Sequence, residues 1–504
     1  MPGHTTLDID TASYKGSIGV NTGLFIAGKW VDPVDVGETA DVINPSNGKK
    51  IASISLGSSK DVDIAVQAAW KAYKTSWGFK CPGSQRGRLL TKLADLLERD
   101  QEQFAALEAL NVGKPFQVAK FGDMAGTIKC IRYFGGWADK NQGNVIETDD
   151  KKLAYTRHEP FGVVGQIIPC ALPPVLMLSW KVGPALATGN CIVLKPSEMT
   201  PLSALKFAEL VEEAGFPPGV VNIVNGYGWT VGQAIAEHMD IHKVAFTGST
   251  LVGRKVLEAS ARTNLKVVTL ELGGKSPTIV FDDCNLDQTI KWALHAMYSN
   301  MGQSCVAGSR IFVQEGIYDQ FMAQFTAAVD GLGKAAGDPF SAGTQHGPQV
   351  SQAQFDRIMG YIESGKSEGA TVHLGGERHG SEGYFIKPTI FTDCTPDMKI
   401  VREEIFGPVA AVLKFKTEEE VIEAANATAY GLSCCVFTEN ISRGLRVAHE
   451  LESGSAFINS AQTIDPSVPF GGYKQSGIGR EHGEYALATY TQVKGIHVNL
   501  GLML

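Results

Sequence analysis

The sequence lacks the features of a membrane-bound or secreted protein. It contains no run of 18 apolar residues, so we expect no transmembrane helix and no membrane partner. Its start, "MPGHTTLDIDTASYKGSIGV", has no basic cluster followed by an apolar stretch, and its acidic residues argue against a transit peptide. The last residues, "GLML", match no retention or peroxisomal signal. We therefore expect a cytoplasmic protein in which residues 1–19 form a polar, loosely held extension.

An excess of basic charge and the spacing of a metal site are also missing. The formal net charge is -8, from 45 lysines and arginines against 53 aspartates and glutamates, which argues against a nucleic-acid partner. The nine cysteines are scattered and odd in number, and none stands at the spacing of metal ligands. We expect no metal and mostly buried, reduced thiols.

The residues that are present predict a large α/β protein. A chain of 504 residues with 44% hydrophobic residues is long enough for several domains with buried cores. Short β-branched runs such as "GVVGQIIP" and "KVAFTGS" alternate with amphipathic stretches such as "SALKFAELVEEAG", a pattern typical of parallel sheets. A second set of buried strands, including "SPTIVF" and "AAVLKF", follows between about 275 and 470.

Two segments have a different pattern. Residues 144–160 and 485–501 alternate apolar and polar side chains, which predicts long exposed strands. Exposed strands tend to pair with other chains, so these segments are candidates for an oligomerisation arm. The alternative is a solvated hairpin on a monomer.

Glycine turns after two predicted strands are candidate phosphate-binding sites. In "FTGSTLVGR", Gly248 and Gly253 permit close approach to an anion, and the Ser249 hydroxyl can donate to a phosphate. The turn "NGYGWTVG" at 225–232 has a similar pattern. Alone, each is also what an ordinary turn looks like.

A lysine and a glutamate follow a third predicted strand, in "LKPSE". Open α/β sheets bind ligands at such strand ends, where the carboxylate of Glu198 can accept both hydroxyls of an adenosine ribose. It would repel a 2′-phosphate, which favours NAD over NADP. The alternative is a solvated ion pair between Lys195 and Glu198.

Two further residues have neighbours that suit catalysis. Glu271 lies between leucines in "LELGG", where an apolar setting raises the pKa of a carboxyl toward that of a general base. Cys305 lies in the small-residue turn "GQSCVAG", where an exposed thiolate can be stabilised by backbone N–H groups. A capping or exposed glutamate and a structural thiol are the alternatives.

From about Phe25 to the C-terminus, the chain resembles the aldehyde dehydrogenase superfamily. The matching blocks occur in the family's order and are "FIAGKW", "INPSNGK", "GQIIP", "WKVGPALATGN", "KPSE", "FTGST..G", "LELGGKSP", "GQSC.AGSR", "HGPQV", "EEIFGPV" and "PFGGYKQSGIGRE". The resemblance implies that Cys305 attacks an aldehyde, that hydride passes to NAD, and that Glu271 activates water to hydrolyse the thioester. Lys181 matches a lysine to which the family assigns proton relay.

The resemblance also implies an architecture and a cofactor site. A Rossmann-like NAD-binding domain is expected over 20–143 and 161–270, a second α/β catalytic domain over 271–470, and a β-strand oligomerisation arm over 144–160 and 485–504, in a homodimer or homotetramer. NAD is the expected cofactor, with NADP possible. The expected cofactor-binding residues are Ile168, Lys195, Glu198, Gly228, Phe246, Gly248, Ser249, Gly253, Leu272, Gln349, Glu404 and Phe406.

The chain departs from the family in "PCALPP", Pro169–Pro174. Family members have an asparagine here that supplies one donor of the oxyanion hole, and its place falls on Ala171 or Leu172, depending on the direction of counting. Loss of one such donor costs about 2.7–4 kcal/mol. A re-aimed main-chain N–H or Asn459 could replace it. A further hypothesis pairs Cys170 with Cys305 as a second active-site thiol.

The expected substrate is a small molecule, an aldehyde of hydrophobic character or medium size. The loop 459–468 is expected to shape the mouth of the tunnel. Two alternatives are an enzyme of this fold that no longer oxidises aldehydes, for example an isomerase, and a non-catalytic binding protein. The predicted pocket residues are Ala171, Leu172, Met177, Trp180, Ser304, Thr463 and Phe470.

Overall fold

The computed structural model describes residues 3–35 and 37–504, so residues 1 and 2 of the expected N-terminal extension lie outside the described residues. Short strands alternate with helices along most of these ranges. The strands are β1 (His4–Asp10), β2 (Lys15–Asn21), β3 (Leu24–Ile26), β4 (Lys29–Val31), β5 (Thr39–Asn44), β6 (Lys49–Ser55), β7 (Val145–Ile146), β8 (Lys152–Pro160), β9 (Val163–Ile167), β10 (Cys191–Lys195), β11 (Val221–Ile223), β12 (Lys243–Thr247), β13 (Val267–Glu271), β14 (Pro277–Val280), β15 (Arg310–Gln314), β16 (Thr371–Leu374), β17 (Thr389–Thr392), β18 (Val409–Phe415), β19 (Tyr430–Gly431), β20 (Ser433–Phe437), β21 (Ser455–Ile458), β22 (Tyr473–Lys474), β23 (Gly477–Ile478) and β24 (Thr491–Asn499).

Most helices have one apolar face packed on a sheet, and several begin at a side-chain cap. Ser249 caps the helix after β12, where its Oγ accepts from Val252 N. The α-helices are α1 (Ser59–Thr75), α2 (Gly83–Arg99), α3 (Gln101–Val112), α4 (Phe116–Val118), α5 (Ala125–Trp137), α6 (Pro174–Ala187), α7 (Leu202–Ala214), α8 (Gln233–Glu237), α9 (Thr250–Arg262), α10 (Leu286–Tyr298), α11 (Tyr318–Lys334), α12 (Gln352–Ser367), α13 (Lys399–Arg402), α14 (Glu418–Asn426), α15 (Ile441–Glu450) and α16 (Gly483–Thr489).

The first large sheet has eight strands in the order β23-β13-β12-β9-β10-β11-β3-β4. Its five central strands are parallel, and the register places Thr247 of β12 beside Glu271 of β13. Because the carboxyl ends of parallel strands share one edge, Lys195, Thr247 and Glu271 come to the same edge of the sheet.

The second large sheet has seven strands in the order β16-β17-β18-β15-β14-β20-β21, parallel except at β16. Its strands come from residues 277–458, and those of the first sheet from 24–31, 163–271 and 477–478. The predicted α/β class with two parallel sheets is confirmed. Within residues 3–35 and 37–504, no helix has the length and the apolar run needed to cross a bilayer.

The N-terminal region is more ordered than the sequence predicted. Strands β1 and β2 form an antiparallel hairpin in register from His4 opposite Asn21 to Asp10 opposite Lys15. Alternate side chains of the hairpin, including Ile18 and Val20, are buried in the core. The expectation of a loosely held arm is therefore wrong for these residues, because their apolar side chains recur with the period of a strand.

A separate three-stranded sheet has the order β24-β8-β7. Strands β8 and β24 pair antiparallel over their full length, from Pro160 opposite Thr491 to Lys152 opposite Asn499. The predicted strand over 485–501 is wrong at its start, since residues 485–489 belong to α16. Ala486 and Leu487 of this helix are buried. Because the helix is only seven residues long, the spacing of its apolar residues could not distinguish it from a strand in the sequence.

Candidate active site

The glycine pair after β13 allows two functional elements to approach Glu271. A Cβ on Gly273 would lie 2.0 Å from Oε2 of Glu404, and a Cβ on Gly274 would lie 2.2 Å from the carbonyl oxygen of Cys305. The N–H of Gly274 donates to Oε1 of Glu404 at 3.2 Å. Glycine at both positions is therefore what places the Glu404 carboxylate and the Cys305 loop beside the end of the sheet.

Cys305 lies in a tight loop after α10. Asn300 and Met301 have left-handed backbone angles, with φ of 51° and 57°, and the following Gly302 has a φ of 71°. This turn reverses the chain and leaves Cys305 partly exposed. Cys305 lines a cavity, described below, through which its sulfur can be reached.

The environment of Cys305 favours the protonated thiol. Burial raises its pKa, and the charges of Glu404 and Glu271 raise it further. The N–H groups of Cys305 itself and of Val306 oppose this shift, because they favour the thiolate. The sulfur therefore needs a nearby base to become a nucleophile.

Glu271 is a candidate for that base. Burial raises its pKa well above the ordinary value, and the neighbouring Glu481 raises it further, while Lys181 and Arg480 oppose the shift. Its Oε2 has no hydrogen-bond partner. Lys181 and Glu481 form a buried ion pair beside it. A carboxyl with a raised pKa and a free oxygen can take up and return a proton near neutral pH.

Cys305 and Glu271 line one cavity of about 800 Å³. Five of the seven predicted pocket residues line it, and they are Leu172, Met177, Trp180, Ser304 and Phe470. Trp180 and Phe470 pack edge to face with ring centroids 5.1 Å apart. Thr463 is exposed and does not line the cavity, although its neighbours Gln462 and Ile464 do. The loop 459–468 thus contributes to the wall.

The segment 169–174 places no asparagine in the cavity. Leu172 lines the cavity, whereas Ala171 does not; its carbonyl accepts from Nδ2 of Asn300 at 2.9 Å. The same Nδ2 also donates to the carbonyl of Gln303 at 2.7 Å. The Asn300 amide therefore ties the segment 169–174 to the nucleophile loop and has no spare N–H for a substrate.

The structure favours neither of two hypotheses about this region. Asn459 is not among the residues that line the cavity with Cys305, and its amide is held by Thr438, with Nδ2 donating to Thr438 O at 2.8 Å and Oδ1 accepting from Thr438 N at 3.0 Å. Cys170 is not among the residues that line the cavity with Cys305. Ser197 and the charges of Glu198 and Lys195 surround its thiol instead, and burial raises its pKa to about 11.

The predicted adenosine contacts meet at the edge of the first sheet. Lys195 ends β10, and its Nζ lies 3.0 Å from Oε2 of Glu198. The N–H of Ile168 donates to the carbonyl of Lys195 at 3.1 Å. Gly228, at the start of a π-helical turn, is exposed. A Cβ on Gly232 of the same turn would lie 3.6 Å from Cδ of Lys195, so the turn passes beside this lysine.

The predicted phosphate turn follows the carboxyl end of β12, at the same edge of the first sheet. Gly248 N donates to Glu271 O at 3.1 Å, and Ser249 begins the 13-residue helix α9. A Cβ on Gly253 would lie 2.6 Å from the side chain of Leu272, so glycine keeps this helix close to the end of β13. Phe246 is buried in β12. A helix N-terminus at a strand end suits a pyrophosphate.

The remaining predicted cofactor residues lie in connections between strands of the second sheet, and they are Gln349, Glu404 and Phe406. Burial raises the pKa of Glu404 to about 7. Phe406 has a φ of 59° and is partly buried two residues further on. Gln349 is fully buried, and its Oε1 has no partner. The structure thus brings Glu404 to Cys305, while Gln349 lies behind the loop, with its Nε2 3.5 Å from Met301 O.

Sequence reasoning assigned no role to several residues that line the cavity. Glu481 and His482 both line it, and the His482 ring lies 4.1 Å from that of Trp180. Lys114 and Asp123 form a buried ion pair in the wall at 2.6 Å. The block "GIGRE" contained Glu481, but nothing in the sequence showed that it meets Lys181.

The fold and the site define a class of protein. At one edge of the first sheet, a helix N-terminus and a carboxylate suit a dinucleotide, and a buried glutamate and a cysteine line one cavity. Such an edge suits an oxidoreductase that uses a nicotinamide cofactor. Residues 30–496 match the sequence model of the aldehyde dehydrogenase family, and the chain belongs to that family.

Individual relatives agree with this assignment. The chain is 62% identical over 500 residues to an aldehyde dehydrogenase of Agaricus bisporus, covering 99% of each protein. It is 50% identical over 482 residues to human retinaldehyde dehydrogenase 3, covering 95% of this chain and 93% of the human protein. The NAD+ complex of an aldehyde dehydrogenase from Bacillus cereus superposes with a TM-score of 0.93 at 48% identity, covering 95% of this chain and 97% of that one.

Proposed function

We propose that the protein oxidises an aldehyde to a carboxylic acid with NAD, with Cys305 as the nucleophile. The observation that carries this proposal is that Cys305 and Glu271 line one cavity beside the dinucleotide-type edge of the first sheet. The bound substrate is a small molecule of hydrophobic character, because the aromatic pair of Trp180 and Phe470 forms part of the wall.

The residues of the chain divide the work between a nucleophile and a base. The proton of the Cys305 thiol passes to Glu271, and the sulfur bonds to the aldehyde carbon, giving a tetrahedral adduct. As the adduct is oxidised to a thioester, Glu271 loses that proton to solvent. It then takes a proton from water, which attacks the thioester, and it returns this proton to the leaving sulfur, so that the acid and the Cys305 thiol are released. The Lys181–Glu481 ion pair lies beside Glu271 during both proton transfers. Its two charges have opposite effects on the pKa of Glu271.

The residues at the sheet edge fit NAD. Glu198 would accept the ribose hydroxyls, and the start of α9 with Gly248 and Ser249 would hold the pyrophosphate. Glu404 and Phe406 would border the nicotinamide. NAD, when bound, accepts the hydride from the tetrahedral adduct. The carboxylate of Glu198 disfavours NADP because it would repel a 2′-phosphate.

The oxyanion hole of this protein is proposed to be built from the main chain alone. Leu172 occupies the cavity position nearest in the sequence to the family's asparagine, and it has no donor. The main-chain N–H groups of Cys305 and Val306 favour a negative charge at Cys305, so they are the proposed donors of this oxyanion hole. The reaction is therefore slower than with a side-chain donor, or restricted to a substrate that needs less stabilisation.

We also propose a division into domains and an assembly. Residues 20–143 and 161–270 would form the NAD-binding domain and 271–470 the catalytic domain. The three-stranded sheet would join subunits of a homodimer or homotetramer, since Val145 and Val493 are 78% and 63% exposed on it. A cytoplasmic location would suit the nine free cysteines.

A panel of aldehydes with NAD and NADP tests the proposed function. We expect NADH formation with at least one hydrophobic aldehyde, and a loss of more than about 10³-fold in Cys305→Ala, since removal of the nucleophile leaves only binding. An aldehyde-like electrophile should label Cys305 in the native protein and leave Cys434 unlabelled, because Cys434 is fully buried in β20. NAD binding without NADH formation across the panel would contradict aldehyde oxidation.

A further inference from the structure

A strip of polar side chains runs along one face of the eight-stranded sheet toward Glu271. Lys243 begins β12, and its Nζ donates to Oγ1 of Thr269 on β13 at 2.8 Å. Thr269 and Glu271 are two residues apart in one strand, so their side chains leave the same face about 7 Å apart. The hydroxyl that accepts from the Lys243 ammonium therefore belongs to the residue one strand step from the proposed base.

Lys243 is enclosed by groups from several elements. It is fully buried, and its Nζ lies 4.8 Å from the ring centroid of Tyr490, which follows α16. Burial, together with the charge of Lys181 on α6 and against the charge of Glu481, lowers the pKa of Lys243 to about 7. The lysine thus responds to the same ion pair that borders Glu271.

Glu271 is faced by charges from the same set of elements. Glu481, Lys181 and Arg480 act on its carboxyl, and Cys305 faces it across the cavity. Its Oε2 is buried without a partner, so the charge state of the carboxyl depends on the surrounding field more than on a hydrogen bond. The charges of Lys181 and Glu481 act on both Lys243 and Glu271, so a change of charge on Lys243 reaches the Glu271 carboxyl through this ion pair.

We propose that Lys243 is a positioning residue that sets the protonation of Glu271 through this buried polar strip and never touches the substrate. The inference rests on the proposed function. A proton on Lys243 favours the ionised Glu271 carboxylate, which is the form that accepts a proton from the thiol or from water. Without that charge, Glu271 holds its proton more firmly, and the reaction requires a higher pH.

The test is the pH dependence of kcat/KM for a substrate aldehyde in the wild type, Lys243→Met and Lys243→Arg. In Lys243→Met we expect the acidic limb of the profile to move up by up to about one pH unit, because a positive charge is lost beside the Lys181–Glu481 ion pair that borders Glu271. Lys243→Arg keeps the charge and should hold the limb at or below its wild-type position. Glu271→Gln should lower kcat/KM and leave a residual rate without this limb, which identifies the limb with Glu271.

Lys266→Met is the matched control. Lys266 is also buried, but its Nζ donates to Ala236 O at 2.6 Å and to Thr263 at 3.0 Å, and it precedes β13 at the end remote from Glu271. An unchanged limb in Lys243→Met, or an equal shift in Lys266→Met, overturns the proposal.

A second variant covers the case in which Lys243→Met does not fold. Thr269→Val keeps the shape of the strand and removes the oxygen that accepts from Lys243, so we expect a smaller shift in the same direction. No shift in Thr269→Val would then overturn the proposal. Absence of aldehyde-dependent NADH formation in the wild type would instead contradict the proposed function.

Discussion

Two parts of the cavity wall, joined by the hydrogen bond from Asn300 to Ala171, are built on different principles. The nucleophile loop at 299–308 has its shape from the main chain: the left-handed turn at Asn300 and Met301 positions Cys305 between backbone N–H groups. The segment 169–174 contributes a side chain, Leu172, which has no donor. The comparison shows why one half of an oxyanion hole withstands substitution: a main-chain donor survives any change of side chain, and a side-chain donor does not.

The largest expected effect restores the missing half. Leu172→Asn places an amide in the cavity, and we expect kcat for aldehyde oxidation to rise by about 10²-fold, because one oxyanion donor is worth about 2.7–4 kcal/mol. Leu172→Ala is the control, since it removes the leucine without adding a donor, and steady-state kinetics compare the two. Equal rates in both variants would mean that pocket volume, not a donor, limits the reaction.

Ala171→Asn distinguishes the two possible alignments of this segment. Ala171 lies outside the cavity, and its carbonyl is bound to Asn300, so an amide at 171 should leave kcat within a few-fold of the wild type. A gain at 171 equal to that at 172 would show that the segment differs in solution from the arrangement in the structure.

The sequence predicted the parts of the site that depend on strand ends and glycine turns. Parallel strands bring their carboxyl ends to one edge, so Lys195, Ser249 and Glu271 could be placed together before any coordinates were known. The predicted α/β class holds for the same reason, because periodicity and turn residues report local structure well.

The parts that failed depend on contacts between distant segments. Asn459 is engaged by Thr438 across two neighbouring strands, and Cys170 faces Ser197 instead of Cys305. Neither contact leaves a local pattern in the sequence. The exposed Thr463 shows the same limit, since the neighbouring Gln462 and Ile464 point into the cavity and no periodicity distinguishes the three residues in a loop.

A smaller effect separates the two glycines that precede the second sheet. Gly273→Ala would place a methyl group 2.0 Å from the flexible Glu404 carboxylate, which can move away. We expect stability close to that of the wild type and kcat reduced by about 10²-fold, the usual cost of a misplaced group of about 1 Å. Thermal unfolding and steady-state kinetics measure both.

Gly274→Ala is the contrasting variant. Its methyl group would lie 2.2 Å from the main-chain carbonyl of Cys305, which cannot move without the nucleophile loop. We expect a lower melting temperature together with lost activity. The same stability loss in Gly273→Ala would mean that the Glu404 side chain is as rigid as the loop.

The smallest loss of function that we expect concerns the cofactor edge, which the changes at 169–174 leave intact. Glu198→Gln keeps the shape of the side chain but removes its charge, and it weakens the hydrogen bonds expected from a ribose. We expect KM for NAD to rise by about 10-fold, equivalent to about 1.4 kcal/mol, with kcat unchanged. The preference for NAD over NADP should narrow, because a neutral amide no longer repels a 2′-phosphate. If kcat fell and KM stayed constant, Glu198 would be acting on the chemical step, and the two walls of the cavity would not be independent of the cofactor edge.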